Sequence, residues 1–265
     1  MTSVLQISDL HLVREGELVS GRLDTAASLE RLVARIAEIR PAIDPLGAIL
    51  ISGDLSDDGS AESYALLRQS LARLNLPLYA IPGNHDLREP MRAAFAPDGY
   101  LPASGGLHWT LRLGDVDLIG LDTLVEGQGG GALDAAALVF LEHALEAANG
   151  RPALLALHHP PFPSGIAFMD RIGLSGIDGL ERVLAATRSE VRIVCGHIHS
   201  TMIASVAGKV ALSAPSPCSS FAFDARAEAP VGYHICEDGM LLHTWHGTFR
   251  SVRIPMKGGT GPFSF

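Results

Sequence analysis

Lysine is nearly absent: only Lys209 and Lys257 occur in 265 residues, and the arginines are scattered. With 20 basic against 29 acidic side chains the formal charge is −9. That argues against a surface that tracks a polyphosphate backbone, so no long nucleic acid is expected as a partner. A small anionic substrate stays open, because bound cations can supply positive charge locally. No apolar stretch reaches the roughly 18 residues needed to span a bilayer. The chain opens on Val4-Leu5-Gln6-Ile7-Ser8, without the basic segment and small-residue cleavage site of a secretion signal. The three cysteines, Cys195, Cys218 and Cys236, form no C-x-x-C pair. They read as reduced, mostly buried thiols, and the expected location is cytoplasmic. No repeat, linker or low-complexity block interrupts the chain, so one domain over residues 1–265 is expected, with a mostly β part from about residue 200.

What is present is a core. Hydrophobic residues make up 47% of the chain and charged residues 18%, the balance of a folded globule. Short β-type runs alternate with helical stretches. Strands are expected at Val4–Ser8, Ala48–Ser52, Leu78–Ile81, Ala153–Leu157 and Val191–Cys195, with a hairpin from Leu107–Leu113 to Val116–Leu121 around Gly114-Asp115. Asp24 caps a helix with Leu29, Leu32, Val33 and Ile36 on one face, and Pro41 is expected to stop it. Further helices are expected over Ser60–Leu74, over Asp134–Ala148 and from about Asp178. The four glycines between Glu126 and Gly131 read as a flexible connection, since no lysine or helix entry accompanies them. Ala214 to Pro230 reads as a long irregular stretch.

Five polar clusters follow the apolar runs: Asp9-Leu10-His11, Gly53-Asp54, Gly83-Asn84-His85-Asp86, His158-His159-Pro160-Pro161 and Gly196-His197-Ile198-His199. Polar groups just past the C-terminal ends of strands are where α/β sheets bind ligands. Asp9 and His11, like His197 and His199, are spaced i, i+2, which in extended backbone turns both side chains to one side. Asp54 has two oxygens with which to bridge two cations. Asn84 adds a neutral oxygen and His158 an imidazole. Two aspartates, one asparagine and four histidines, with no thiolate, suit Fe, Mn, Zn or Co. Seven donors exceed one tetrahedral ion and fit two ions sharing a carboxylate. His108, His143, His234, His243 and His246 carry no partner motif and read as structural. His159 reads either as support for the site or as structural.

Taken in order, these motifs resemble the signature of the calcineurin-like metallophosphoesterase superfamily. The flanking words Ser8-Asp9-Leu10-His11, Gly53 to Ser60 and Ile81 to Asp86 resemble the bacterial class III cyclic-nucleotide phosphodiesterases and related glycerophosphodiesterases. The resemblance implies an α/β fold, a four-layer α-β-β-α sandwich of two mixed sheets flanked by helices. It implies two divalent or trivalent transition-metal ions, one held by Asp9, His11, Asp54 and His199, the other by Asp54, Asn84, His158 and His197. It places His85 over the substrate phosphate as the catalytic residue, and it implies a homodimer or larger assembly.

A phosphodiester repels hydroxide and has a poor leaving group. Two cations roughly 3.5–4 Å apart acidify a shared water and neutralise the non-bridging oxygens during in-line attack. His85 can clamp the phosphate or protonate the leaving oxygen, with Asp86 expected to orient its ring. The expected substrate is a small phosphodiester, with 3′,5′-cyclic AMP and glycerophosphodiesters as candidates. The loops expected to roof the site are Gly127–Leu133, Phe162–Ser175 and Ala214–Pro230. The alternatives are a phosphomonoesterase of the same superfamily and a non-catalytic interaction scaffold, though a scaffold has no use for a full ligand set.

Overall fold

The computed structural model describes residues 1–43, 45–236, 238–260 and 263. In chain order the elements are β1 (Thr2–Ile7), α1 (Thr25–Ile43), β2 (Ala48–Ser52), α2 (Ala61–Ala72), β3 (Leu78–Ile81), α3 (Arg88–Phe95), β4 (Trp109–Leu113), β5 (Val116–Leu121) and β6 (Gly131–Ala132). They continue with α4 (Ala135–Ala148), β7 (Ala153–Leu157), α5 (Ala167–Arg171), β8 (Leu174–Ser175), α6 (Ile177–Ala186) and β9 (Val191–Cys195). Strands β10 (Ile203–Val206), β11 (Lys209–Ser213), β12 (Ser219–Phe221), β13 (Tyr233–Ile235), β14 (Met240–Trp245) and β15 (Phe249–Ile254) complete the chain.

Two mixed sheets carry the structure. The first has the order β15-β14-β1-β2-β3, with β1, β2 and β3 parallel and β14 and β15 added antiparallel. The second has the order β10-β11-β9-β7-β5-β4, parallel from β11 to β5 with an antiparallel strand at each edge. Strands β1, β2, β5 and β7 are buried along their whole length, which is why they read as unbroken apolar runs. Val4, Leu50, Trp109, Leu118, Leu154 and Val194 fill the space between the sheets. Leu29, Leu32 and Ile36 of α1 and Tyr64, Leu67 and Leu71 of α2 cover the outer face of the first sheet. Leu141 and Leu145 of α4 and Leu180 and Leu184 of α6 cover the second. The result is the expected α-β-β-α sandwich. Ser60 accepts from Ser63 N at the start of α2, and Asp134 accepts from Ala137 N at the start of α4, each satisfying an orphan amide.

Three expectations about local structure are corrected. Pro41 does not stop α1, which runs to Ile43. A proline this close to a helix end forfeits one hydrogen bond, and Ile43 beyond it still packs on the core. The stretch from Ala214 to Pro230 contains β12, which pairs with β13. The glycine segment is not slack: Gly131–Ala132 pairs in parallel with Leu174–Ser175.

A buried polar chain joins the sheets. Gln6 in β1 donates through Nε2 to Ser52 Oγ at 2.8 Å and to the Cys195 carbonyl, in the other sheet, at 2.9 Å. His243 Nε2 donates to Gln6 Oε1 at 2.9 Å, its Nδ1 lies 2.8 Å from Ser251 Oγ, and Arg192 Nη1 donates to that hydroxyl at 2.8 Å. Burial, reinforced by the Arg192 charge, pushes His243 down to about 3. The folded state therefore keeps it neutral where the unfolded chain, at an ordinary value of about 6.5, takes up a proton. Stability contributed here is unchanged above pH ~6.5 and is lost as pH falls toward 3. His243→Gln removes that titration. The stability advantage of the parent over the variant is expected to shrink by about 2 kcal/mol between pH 7 and pH 5. Urea unfolding at both pH values checks this, and an advantage that stays constant contradicts it.

Candidate metal centre

The five clusters meet at one end of the sandwich. Asp9 and His11 follow β1, Asp54 follows β2, and Asn84 and His85 follow β3; His158 follows β7, and His197 and His199 follow β9. Both sheets thus deliver side chains to a single cleft. One expected reason for this convergence is wrong. Asp9, His11, Asp54, His197 and His199 all have positive φ, between 47° and 69°, so neither Asp-x-His nor His-x-His is extended backbone. The chain turns sharply at each strand end and folds the side chains back over it. Such non-glycine conformations cost about 1–3 kcal/mol each and concentrate at functional sites. The glycines of the motifs leave room for what lies above them. A Cβ on Gly53 would sit 2.2 Å from His158 Nδ1, and one on Gly83 would sit 2.2 Å from Asp54 Oδ1.

Asp54 stands at the middle. Its Oδ1 accepts from the His85 amide at 2.9 Å. Its Oδ2 lies 3.6 Å from His11 Nε2 on one side and 3.3 Å from His158 Nε2 on the other. On the His11 side, His199 Nε2 is 3.0 Å from His11 Nε2 and 3.5 Å from Asp9 Oδ1. The donor atoms of Asp9, His11, Asp54 and His199 all lie within 4.8 Å of one another. On the His158 side, Asn84 Oδ1 is 3.2 Å from His158 Nε2 and 2.9 Å from His197 Nδ1.

Each of these four imidazoles has its other nitrogen engaged. His11 Nδ1 donates to Asp57 Oδ1 at 2.9 Å, His158 Nδ1 to the Ser52 carbonyl at 2.8 Å, and His197 Nε2 to the Ile172 carbonyl at 3.1 Å. His199 Nδ1 meets Ser219 Oγ at 3.0 Å. The remaining nitrogen of each points at the centre, the arrangement that fixes ring and tautomer in histidines that bind metals. Asp9 supplies a further indication. Its Oδ1 accepts from the His197 amide at 2.9 Å, but its Oδ2 is buried with no hydrogen-bond partner. Burial pushes its carboxyl up to about 6. An orphaned, buried carboxylate oxygen among converging imidazoles suits a cation. Burial and the neighbouring imidazoles keep His197 and His199 well below the ordinary range, in the neutral form that offers a lone pair. At His158 burial also disfavours the charge, but Asp54 outweighs it and raises the ring to about 9. A cation held by this ring would have to displace that proton.

The Calcineurin-like phosphoesterase family model matches residues 2–201. The chain belongs to this family. Among curated members, a probable glycerophosphodiester phosphodiesterase GpdQ of Arcobacter nitrofigilis is 29% identical over 243 residues, covering 91% of this chain and 88% of that protein. The 3′,5′-cyclic adenosine monophosphate phosphodiesterase CpdA of Pseudomonas aeruginosa is 36% identical over 219 residues, covering 83% of this chain and 77% of that one. Among solved structures, a dimetal phosphatase from Danio rerio superposes with a TM-score of 0.61 at 13% identity, covering 91% of this chain and 95% of that one. At that identity the likeness speaks for the calcineurin-like fold alone.

One neighbour of the site differs from expectation. Asp86 does not orient His85. It is buried, and its two oxygens accept from the amides of Leu55, Ser56 and Gly83 and from the Tyr64 hydroxyl, which ties the Gly83–Asp86 loop to the Asp54 loop. The orienting carboxylate is Asp57, whose Oδ1 lies 3.1 Å from His85 Nδ1 while it also accepts from His11. Burial works against the Asp57 charge, yet these two imidazoles hold its carboxyl well below the usual range. Burial likewise disfavours charge on His85, but its contact with Asp57 and the charge of Asp54 raise it to about 9. The His85 side chain is 41% exposed. His159 has no free nitrogen: Nδ1 meets Thr123 Oγ1 at 2.8 Å and Nε2 donates to the Gly129 carbonyl at 3.2 Å. It seats the glycine segment, and a Cβ on Gly131 would come within 2.3 Å of its ring. Burial drives it down to about 3. Asp57 stands in the sequence three residues past Asp54, and that position was its only signal.

Proposed function

We propose that the chain is a metal-dependent phosphoric diester hydrolase. One cation would be held by Asp9, His11, Asp54 and His199, and a second by Asp54, Asn84, His158 and His197. The observation that supports this most is the position of Asp54 Oδ2, between His11 Nε2 and His158 Nε2. When bound, such a pair of transition-metal ions lowers the pKa of a shared water and neutralises charge on the phosphoryl oxygens. Which metal is native follows availability as much as the donor set.

The chain's own residues do the rest. Asp57, the Ser52 and Ile172 carbonyls and Ser219 Oγ hold the four imidazoles in their tautomers. His85, half-exposed beside the centre with its protonated form favoured, would hydrogen-bond a phosphoryl oxygen and pass a proton to the departing alkoxide. Asp57 holds that ring in place and favours its protonated form.

The substrate class is a small phosphodiester, with 3′,5′-cyclic AMP and glycerophosphodiesters as candidates. It follows the activities for which the Pseudomonas and Arcobacter relatives are named. Kinetics after reconstitution with Mn²⁺ or Co²⁺ test the reading. kcat/KM on bis(p-nitrophenyl) phosphate is expected to exceed that on p-nitrophenyl phosphate by roughly tenfold or more. A ratio below one makes the chain a phosphomonoesterase instead.

A further inference from the structure

The hairpin of β12 and β13 brings two cysteines face to face. Ser219 pairs with Ile235, Ser220 with His234 and Phe221 with Tyr233. The same one-for-one register continues at both ends, where Ala222 N donates to the Gly232 carbonyl at 2.9 Å and Asp238 N to the Ser216 carbonyl at 3.4 Å. Cys218 and Cys236 therefore fall opposite one another one step beyond the last strand pair, with the Asp238–Ser216 bond on their far side. Directly opposed residues of an antiparallel pair point to one face. The bonds at Ala222 and Asp238 put the two cysteines in the phase of a ladder's hydrogen-bonded positions, whose Cα atoms lie about 5.5 Å apart, although the Cys218 amide itself donates to Ser216 Oγ at 3.2 Å. A disulfide requires roughly 4.4–6.8 Å between Cα atoms. Cys195 lies outside this pair, on β9 with Sγ turned to the Leu212 carbonyl at 3.3 Å.

We propose that Cys218 and Cys236 are a disulfide-forming pair, closed by a low-molecular-weight disulfide such as oxidised glutathione. Cys218 is buried and Cys236 partly exposed, which sets the order of events. The Cys236 thiolate attacks oxidised glutathione, forming a mixed disulfide and releasing one glutathione thiolate. The Cys218 thiolate then attacks the Cys236 sulfur and releases the second. Two protein thiols are oxidised and one glutathione disulfide is reduced to two thiols. The bond closes the base of the segment that carries Phe223 and Val231, which are 68% and 56% exposed. It also braces the chain segment whose Ser216 donates to the Asp9 carbonyl at 2.8 Å and whose Ser219 meets His199 Nδ1. The inference rests on strand register and stands apart from the assignment of the metal ligands.

The test treats the full chain with oxidised glutathione, titrates thiols after denaturation, and maps tryptic peptides. Free thiols are expected to fall from three to one, with a mass loss of about 2 Da. One linked species should join the peptides bearing Cys218 and Cys236, and reductant should reverse it. Cys236→Ser is expected to keep both remaining thiols free, and Cys218→Ser to take up one glutathione at Cys236. Persistence of three thiols in the parent overturns the proposal, whether or not the Cys218→Ser form reacts. So does a link to Cys195 or a link between two copies of the chain.

Discussion

Asp54→Ala is expected to cost the chain at least one of its two cations and roughly 10³-fold or more in turnover, about 4 kcal/mol of transition-state stabilisation. No other single ligand change should cost as much. Oδ2 of Asp54 faces the His11 side and the His158 side at 3.6 and 3.3 Å, and its Oδ1 holds the His85 amide at 2.9 Å. On the proposed assignment, removing it would take a shared anion from both cations and would loosen the loop that carries Asn84 and His85. Asn84→Ala should act on one side only, because it withdraws a neutral oxygen that meets His158 and His197. Metal content and kcat measured on both variants separate the two effects, with circular dichroism to show that each is folded. An Asp54 variant that keeps two tightly bound ions and near-normal turnover would mean that the bridge is elsewhere.

The second large effect is expected at His85. His85→Ala should leave metal content intact, since the imidazole bonds Asp57 and meets the donor His11 only through an edge-to-face ring contact at 4.7 Å. Turnover should fall by about 10²–10⁴-fold if the ring protonates the leaving oxygen. The size of the loss depends on the leaving group. p-Nitrophenolate departs without a proton, so the penalty shrinks on an activated diester. A ribosyl or glyceryl alkoxide needs the proton, and there the penalty is greatest. An equal loss on both diesters makes His85 an electrostatic clamp on the phosphate. Loss of metal from the variant makes it a ligand and defeats both versions.

The strands of the sandwich were legible because parallel strands buried on both faces are written as short apolar runs, and β2 and β7 are buried end to end. The site was legible because each run stops at a polar cluster. All seven residues named from those clusters as metal donors converge in the cleft. What escaped had weaker signals. Helices α3 and α5 are 8 and 5 residues long, too short to set a period of 3.6 against their neighbours. Asp57 and Asp86 are both aspartates near a motif, and nothing in their spacing says which one reaches the His85 ring. Tertiary placement decides it, by burying Asp86 under three backbone amides and a tyrosine hydroxyl. Backbone strain was also invisible. Asp9 and His11 were expected on extended chain, whereas both have positive φ, a conformation imposed by packing against preferences that local sequence states correctly. His159, beside His158, has both its nitrogens engaged by Thr123 and Gly129, and adjacency in sequence does not show that.

The central claim is that two cations share Asp54. Elemental analysis of the chain, reconstituted with Mn²⁺ or Co²⁺ and freed of loosely bound metal, tests it most directly. The account predicts close to two ions per chain, with hydrolysis abolished by chelation and restored when the metal returns. One ion or none per chain at saturating metal contradicts it.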